Sequence, residues 1–154
     1  MPDSPIGAEL SEYPGVLGQR IILEKLGKIL YSSIPIGFDS VLFRVSATVP
    51  VGQVTARVAR VDGTYVSVLV DEAADRYTDE LRANMWREDL GTWFSAEFTV
   101  TAAGSLHSTF NYDDEPSWDF PIDPSCYVQD LERFPRSAQH IPEWLRRQVE
   151  LAGG

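Results

Sequence analysis

The spacing of apolar residues between positions 41 and 70 constrains the fold more than any other feature of this sequence. Apolar side chains occupy every second position of residues 41–49, and two segments rich in β-branched residues follow at 54–61 and 64–70. A period of two places alternate side chains on opposite faces of a β-strand. The last two segments are joined through Asp62-Gly63, a dipeptide that accepts the positive φ angles of a tight hairpin turn. The sequence therefore predicts a meander of three antiparallel strands.

Two segments beside this meander repeat their apolar residues every three or four positions, as helices that lie on a core do. The first covers residues 15–31. The second starts after Asp71, whose side-chain oxygen can cap a helix, and stops before Gly91. A second pair of alternating strands is predicted at 93–101 and 105–112.

The C-terminal part of the chain has a different character. Residues 113–141 are rich in proline, acidic and aromatic residues but show no periodicity, which predicts an ordered segment that wraps the domain. Pro142 suits the first residue of a closing helix over 142–152. With an irregular lead-in at 1–14, these elements predict a single domain of residues 1–154. Its expected class is α+β, an antiparallel sheet of about five strands with flanking helices in the order α-β-β-β-α-β-β-α.

The charge of the chain is concentrated in one region. The sequence has 23 Asp and Glu against 13 Lys and Arg, a net charge of -10. Neither Lys nor Arg occurs between Arg87 and Arg133, and the ten acids of that interval are Glu88, Asp89, Glu97, Asp113, Asp114, Glu115, Asp119, Asp123, Asp130 and Glu132. Two interpretations stay open: a solvated face that keeps the protein soluble, or a docking surface for a basic partner. Nucleic acid is not an expected partner, because a polyanion is bound through Lys and Arg.

The sequence offers little for catalysis or metal binding. Its histidines are His107 and His140 and its single cysteine is Cys126, too few for a structural zinc site or an internal disulfide. We expect His107 to be exposed on its strand, and Cys126 to be an inert, partly buried thiol. Residues 111–115 could be read as oxygen ligands for Ca²⁺ or Mg²⁺, but the EF-hand spacing is absent. We therefore predict no catalytic, cofactor-binding or metal-binding residues, and no enzyme activity.

The N-terminal residues bear on where the protein acts. The first ten residues contain neither the basic region nor the apolar run of a secretory signal, and the longer apolar stretches are strand-sized. The single cysteine also fits a reducing compartment. The sequence thus predicts a cytoplasmic protein that does not associate with a membrane.

The second strand pair and the residues after it carry a family resemblance. A Trp-led strand over 93–100, a turn at Gly104, and a second strand that runs into the acidic stretch 110–115 resemble the YezG-like family of immunity proteins. The segments 130–136 and 141–145 resemble the tail of immunity proteins from high-GC actinobacteria. Members of this family are cytoplasmic antitoxins encoded beside polymorphic secreted toxins.

This resemblance implies a non-catalytic inhibitor without a cofactor, which binds one cognate toxin domain and blocks its active site. Such toxins are often basic nucleases, and a related arrangement uses an NAD-hydrolysing toxin. A basic partner would match the acidic region of this chain. The expected contact residues are Tyr112, Asp113, Asp114, Glu115, Trp118, Asp119 and Asp123.

Two alternatives remain open. One is a small-molecule-binding or enzymatic α+β domain that uses a pocket on the sheet face, around His107 and Asn111. The other is an adaptor or modifier that uses its terminal Gly153-Gly154, as ubiquitin-like modifiers use their tail. A ligand-induced shift in melting temperature would favour the first, and loss of function on deletion of the tail would favour the second.

Overall fold

The computed structural model describes residues 15–153, and within that range it contains four α-helices and five β-strands. The helices are α1 (Val16–Ser32), α2 (Ala73–Asn84), α3 (Ser125–Arg133) and α4 (Glu143–Leu151). The strands are β1 (Ser40–Ala47), β2 (Gly52–Ala59), β3 (Tyr65–Ser67), β4 (Ser95–Thr101) and β5 (Leu106–Asn111). The α+β class and the predicted order of elements are confirmed, and α3 is an additional helix between β5 and the closing helix α4. The lead-in predicted at 1–14 and the terminal Gly154 lie outside the described residues.

The five strands form one antiparallel sheet in the order β3-β2-β1-β4-β5. The predicted meander of β1, β2 and β3 is therefore present, with Gly63 at a φ of 88° in its second turn. β4 pairs with the other edge of β1, and β5 pairs with β4. In this register Phe43 of β1 lies between Ala56 of β2 and Phe98 of β4, so alternate residues of the three strands share one face.

Helices α1 and α2 cover that face and enclose the main core. The buried residues recur every four positions on α1, as at Leu26 and Leu30, and every second position on the strands. Full burial of an aliphatic or aromatic side chain stabilises the fold by about 1.5–3 kcal/mol. The buried residues of the main core are Ile22, Leu26, Leu30, Val41, Phe43, Val45, Ala47, Val58, Ala74, Tyr77, Leu81, Met85, Trp93, Ala96, Phe98 and Val100.

A second, smaller core joins the C-terminal segment to the start of β4. Phe94, Tyr127 and Leu145 are buried there, and Trp144 packs edge-on against Phe94 with ring centroids 5.3 Å apart. α3 lies inside the segment for which the sequence predicts no periodic structure. Its buried residues include Asp130, so its apolar residues are too few to reveal a helical repeat. The predicted closing helix is present as α4.

Three local expectations are confirmed as well. A side-chain oxygen of Asp71 accepts the main-chain N–H of Ala73, the first residue of α2, at 2.8 Å, and so satisfies a free donor at the start of the helix. Cys126 is buried, and His107 is exposed on β5.

None of the helices between residues 15 and 153 combines the length and the apolar character that crossing a membrane requires.

Candidate partner-binding surface

A buried ion pair fastens the C-terminal segment to the rest of the domain. The two terminal nitrogens of Arg82 on α2 donate to the two carboxylate oxygens of Asp130 on α3, over 2.6 and 2.7 Å. Arg82 Nε donates to the main-chain oxygen of Trp93 at 2.6 Å. Asp130 also accepts the main-chain N–H of Val49 at 2.8 Å. Arg82 and Asp130 are each 2% exposed, and the additional hydrogen bonds offset the cost of removing both charges from water.

Asp130 therefore does not belong to the acidic surface that the sequence predicts. The other nine acids between residues 88 and 132 are exposed. The sequence-based grouping of Asp130 with these exposed acids is wrong, because the fold brings Arg82, which is 48 positions away in the chain, into contact with Asp130. Local charge density carries no information about a pairing at that separation.

Arg136 is a second buried arginine, and it fixes the chain just beyond β5. Its Nη2 atom donates to the main-chain oxygen of Thr92 at 2.9 Å and to that of Tyr112. The guanidinium lies 4.9 Å from the centre of the Phe94 ring, and the aliphatic part of the side chain packs closely on Gly91. Burial lowers the pKa of Arg136, although arginine keeps its charge inside proteins.

Residues 112–123 form the acidic loop, which leads from the end of β5 to the start of α3. Asn111 donates from Nδ2 to the main-chain oxygen of Asp114 and accepts the N–H of Asp114 on Oδ1, both at 2.9 Å. Trp144 of α4 donates from Nε1 to the main-chain oxygen of Asp113 at 2.7 Å. The first half of the loop is therefore held by its main chain.

The second half of the acidic loop is anchored to the sheet. The hydroxyl of Ser46 on β1 donates to the main-chain oxygen of Ser117 at 2.9 Å. The main-chain N–H of Asp119 donates to Oε1 of Gln53 at 2.8 Å. These contacts use the main chain of the loop and leave its carboxylates exposed. A surface that is already ordered loses less conformational entropy when a partner binds.

The exposed carboxylates of the acidic loop are Asp113, Asp114, Glu115, Asp119 and Asp123. Of these five, within residues 15–153, only Asp113 makes a salt bridge, a long contact of 3.5 Å to Arg136. Asp123 accepts the main-chain N–H of Ser125 at 2.8 Å, and this hydrogen bond lowers the pKa of Asp123. The loop therefore presents negative charge that the described part of the chain largely leaves unneutralised.

The two aromatic residues predicted for the contact region have different surroundings. Tyr112 is half-buried against the main core, and burial raises its pKa. Trp118 is half-buried too, and its indole Nε1 donates to the hydroxyl of Tyr127 at 3.1 Å. Trp118 lines a cleft of about 360 Å³ together with Glu115 and Asp119. The structure thus brings three of the predicted contact residues to one cleft, which Tyr112 does not line.

The open face of the sheet carries a polar groove of about 640 Å³ beside the acidic loop. Its lining includes Arg44, Thr55 and Glu97, which point away from the main core. Arg44 and Glu97 are opposite each other on β1 and β4 and pair at 3.0 Å. His107 and Asn111, the residues considered for a sheet-face pocket, do not line this groove.

Metal-binding groups and matches to known proteins would both indicate a function for this surface, and neither is found among the described residues or in the comparisons. In the part of the chain that the structure describes, no three His, Cys, Asp or Glu residues are grouped so that they could hold a metal ion. No protein-family model matches the chain, and a search of curated proteins finds no match either. The acidic loop therefore has to be interpreted from its own geometry and charge.

Proposed function

We propose that the chain is a non-catalytic immunity protein that binds one cognate toxin domain and blocks its active site. The observation that carries this proposal is the acidic loop, whose main chain is hydrogen-bonded to β1 and α4 while its carboxylates are exposed. Clustered charge of one sign speeds association with an oppositely charged partner and disfavours other partners. A toxin domain with a basic rim around its active site is complementary to this surface.

An immunity protein is also the function that the sequence resemblance of residues 93–100 and 110–115 to YezG-like proteins implies, although no family model matches the chain. A nuclease toxin holds its substrate through Lys and Arg, so an acidic loop over that site competes with the nucleic acid. An NAD-hydrolysing toxin is blocked by the same steric means. The inhibitor acts in the cytoplasm of the cell that produces it, and the half-buried Trp118 is its expected anchor, because Trp is enriched where binding energy is concentrated.

The polar groove on the open face of the sheet favours a second candidate, a small-molecule-binding domain. Its volume of about 640 Å³ is typical of ligand sites, but most such sites are largely apolar and this groove is polar. A saturable rise in melting temperature with a metabolite would favour this candidate over the immunity function.

Capture of the partner from the host that carries this chain tests the immunity function. The tagged protein is incubated with host lysate at about 0.15 M salt, which screens weak surface attraction, and bound proteins are identified by mass spectrometry. We expect one basic domain in equimolar amount, whose expression arrests growth unless this chain is expressed with it. A captured protein that is harmless when expressed, or no equimolar partner even among co-expressed toxin domains, would contradict the proposal.

A further inference from the structure

The cleft within the acidic loop has two aromatic walls. Trp118 and Phe120 meet at an interplanar angle of 78°, with ring centroids 6.1 Å apart, and so form a corner. The Trp118 indole is held in place by its 3.1 Å hydrogen bond to Tyr127, which is buried. The Phe120 side of the corner is open, because this residue is 43% exposed. At about 360 Å³, the cleft has room for one long side chain.

Carboxylates border the same cleft. Glu115 and Asp119 line it, with the amide of Gln148 on α4 as a further polar group. Both acids are exposed, and among residues 15–153 neither forms a salt bridge. Aromatic faces attract cations, and carboxylates at the rim add to that attraction. An aromatic corner with an acidic rim is therefore complementary to a cationic group.

We propose that this cleft accepts an arginine side chain of the partner protein, an inference that rests on the proposed function because it takes the partner to be a basic toxin domain. The guanidinium group is planar, so it stacks on one ring while its edge remains free to donate hydrogen bonds. Glu115 or Asp119 can accept two parallel N–H bonds from that edge. The compact ammonium group of lysine offers neither the stacking nor the paired bonds.

Titration with N-acetyl-arginine amide tests the cleft without the partner. The indole N–H signal of Trp118 in the NMR spectrum, assigned by its loss in Trp118→Phe, reports binding. We expect a saturable shift at millimolar concentrations and a much smaller shift with N-acetyl-citrulline amide, which has nearly the same shape but no charge. Equal shifts with the two compounds, or no saturable shift with the arginine compound, would overturn the proposal.

Two sets of variants separate the charges from the rings. The double variant Glu115→Gln, Asp119→Asn removes the carboxylates, and Phe120→Leu removes one wall. Each should weaken binding of the arginine compound about fivefold or more. The matched control Glu72→Gln, Glu88→Gln changes the net charge equally at exposed positions that do not line the cleft, and should leave binding unchanged. Equal weakening in the control would trace the binding to net charge and overturn the proposal.

The result of this titration is independent of the capture experiment. If the arginine compound binds but no toxin domain is captured, the immunity function is wrong and the cleft is still an arginine site. If a toxin domain is captured but the arginine compound does not bind, only the assignment of the cleft is wrong.

Discussion

The two cores of this domain are stabilised by different forces. The main core, between the sheet and helices α1 and α2, consists of side chains such as Leu26, Val41 and Phe98, each fully buried. The C-terminal segment has fewer buried apolar side chains and depends on the ion pair of Arg82 with Asp130. Apolar burial is non-directional and follows the area removed from water, whereas a buried ion pair stabilises only in good geometry. The segment that carries the acidic loop should therefore tolerate conservative substitutions less well than the main core.

Conservative substitutions in the two cores give the largest expected difference. Asp130→Asn keeps the size of the side chain but leaves Arg82 buried without a counter-charge. We expect the free energy of unfolding to fall by about 3–5 kcal/mol. Leu26→Met nearly conserves volume in the main core and should cost less than about 1.5 kcal/mol. Urea unfolding measures the free energy of unfolding of both variants. Similar losses for the two would contradict the claim that the C-terminal segment tolerates conservative substitutions less well than the main core.

Glycine substitutions test how closely Arg136 is packed in the C-terminal segment. Gly91 has a φ of +73°, and a Cβ atom there would lie 2.5 Å from the Arg136 side chain. Gly104 has a φ of +96°, but its Cβ position has nothing within 4 Å. Both alanine variants strain the backbone, by about 1 kcal/mol, and Gly91→Ala also displaces Arg136 from its carbonyl acceptors. Gly91→Ala should therefore cost about 2 kcal/mol more than Gly104→Ala.

Thermal unfolding of the two glycine variants provides the measurement, with Gly104→Ala as the control for backbone strain alone. Equal losses at the two positions would mean that Arg136 moves aside without losing its hydrogen bonds. The second core would then be less dependent on this arginine than its contacts imply.

A smaller effect of opposite sign is expected at Glu80 on α2. Its Oε2 atom is buried and has no hydrogen-bond partner among the described residues, and burial raises the pKa of this carboxyl group. The folded state therefore binds the proton more tightly than the unfolded chain does. The wild type should lose stability as the pH rises through this raised pKa, because the folded state must then hold an ionised carboxylate.

Glu80→Gln should accordingly stabilise the protein by about 0.5 kcal/mol at neutral pH. The gain should vanish well below the usual pKa of glutamate, where the carboxyl group is protonated in both states. Melting temperatures of the wild type and the variant across this pH range measure the effect. A variant that is less stable than the wild type at neutral pH would show that the carboxylate has a favourable partner.

Periodicity predicts the elements of the main core because each is defined by residues that are close in sequence. The alternations that contain Phe43 and Phe98 place both side chains on the buried face. The contacts that hold the second core together produce no periodic pattern in the sequence. Arg82 pairs with a carboxylate 48 positions away, and Arg136 binds main-chain oxygens, which any residue can supply. The anchoring role of Asn111 likewise depends on the conformation of the loop that follows it.

Charge density in the sequence predicts the exposed carboxylates of the acidic loop, because a solvated charge needs no distant partner. It misses the cleft, since the position of Trp118 depends on Tyr127 of α3, a helix that the sequence does not reveal. Charge density also places Asp130 on the surface, whereas its ion pair with Arg82 holds it in the interior. Sequence reasoning therefore locates the candidate surface but not the geometry within it.

Charge reversal in the acidic loop tests most directly whether this surface binds the toxin domain. The affinity of the captured domain is measured at several salt concentrations for the triple variant Asp113→Lys, Asp114→Lys, Glu115→Lys. We expect binding to weaken about tenfold or more at low salt. The remaining affinity should also fall less steeply with added salt than that of the wild type, because attractive charge pairs have been removed.

The control reverses three exposed carboxylates outside the acidic loop and so changes the net charge by the same amount: Glu72→Lys, Glu88→Lys and Glu150→Lys. We expect this control to stay close to the wild type in affinity and in salt dependence. If the loop variant binds as the wild type does, or if both variants lose affinity equally, the toxin domain does not bind through the acidic loop.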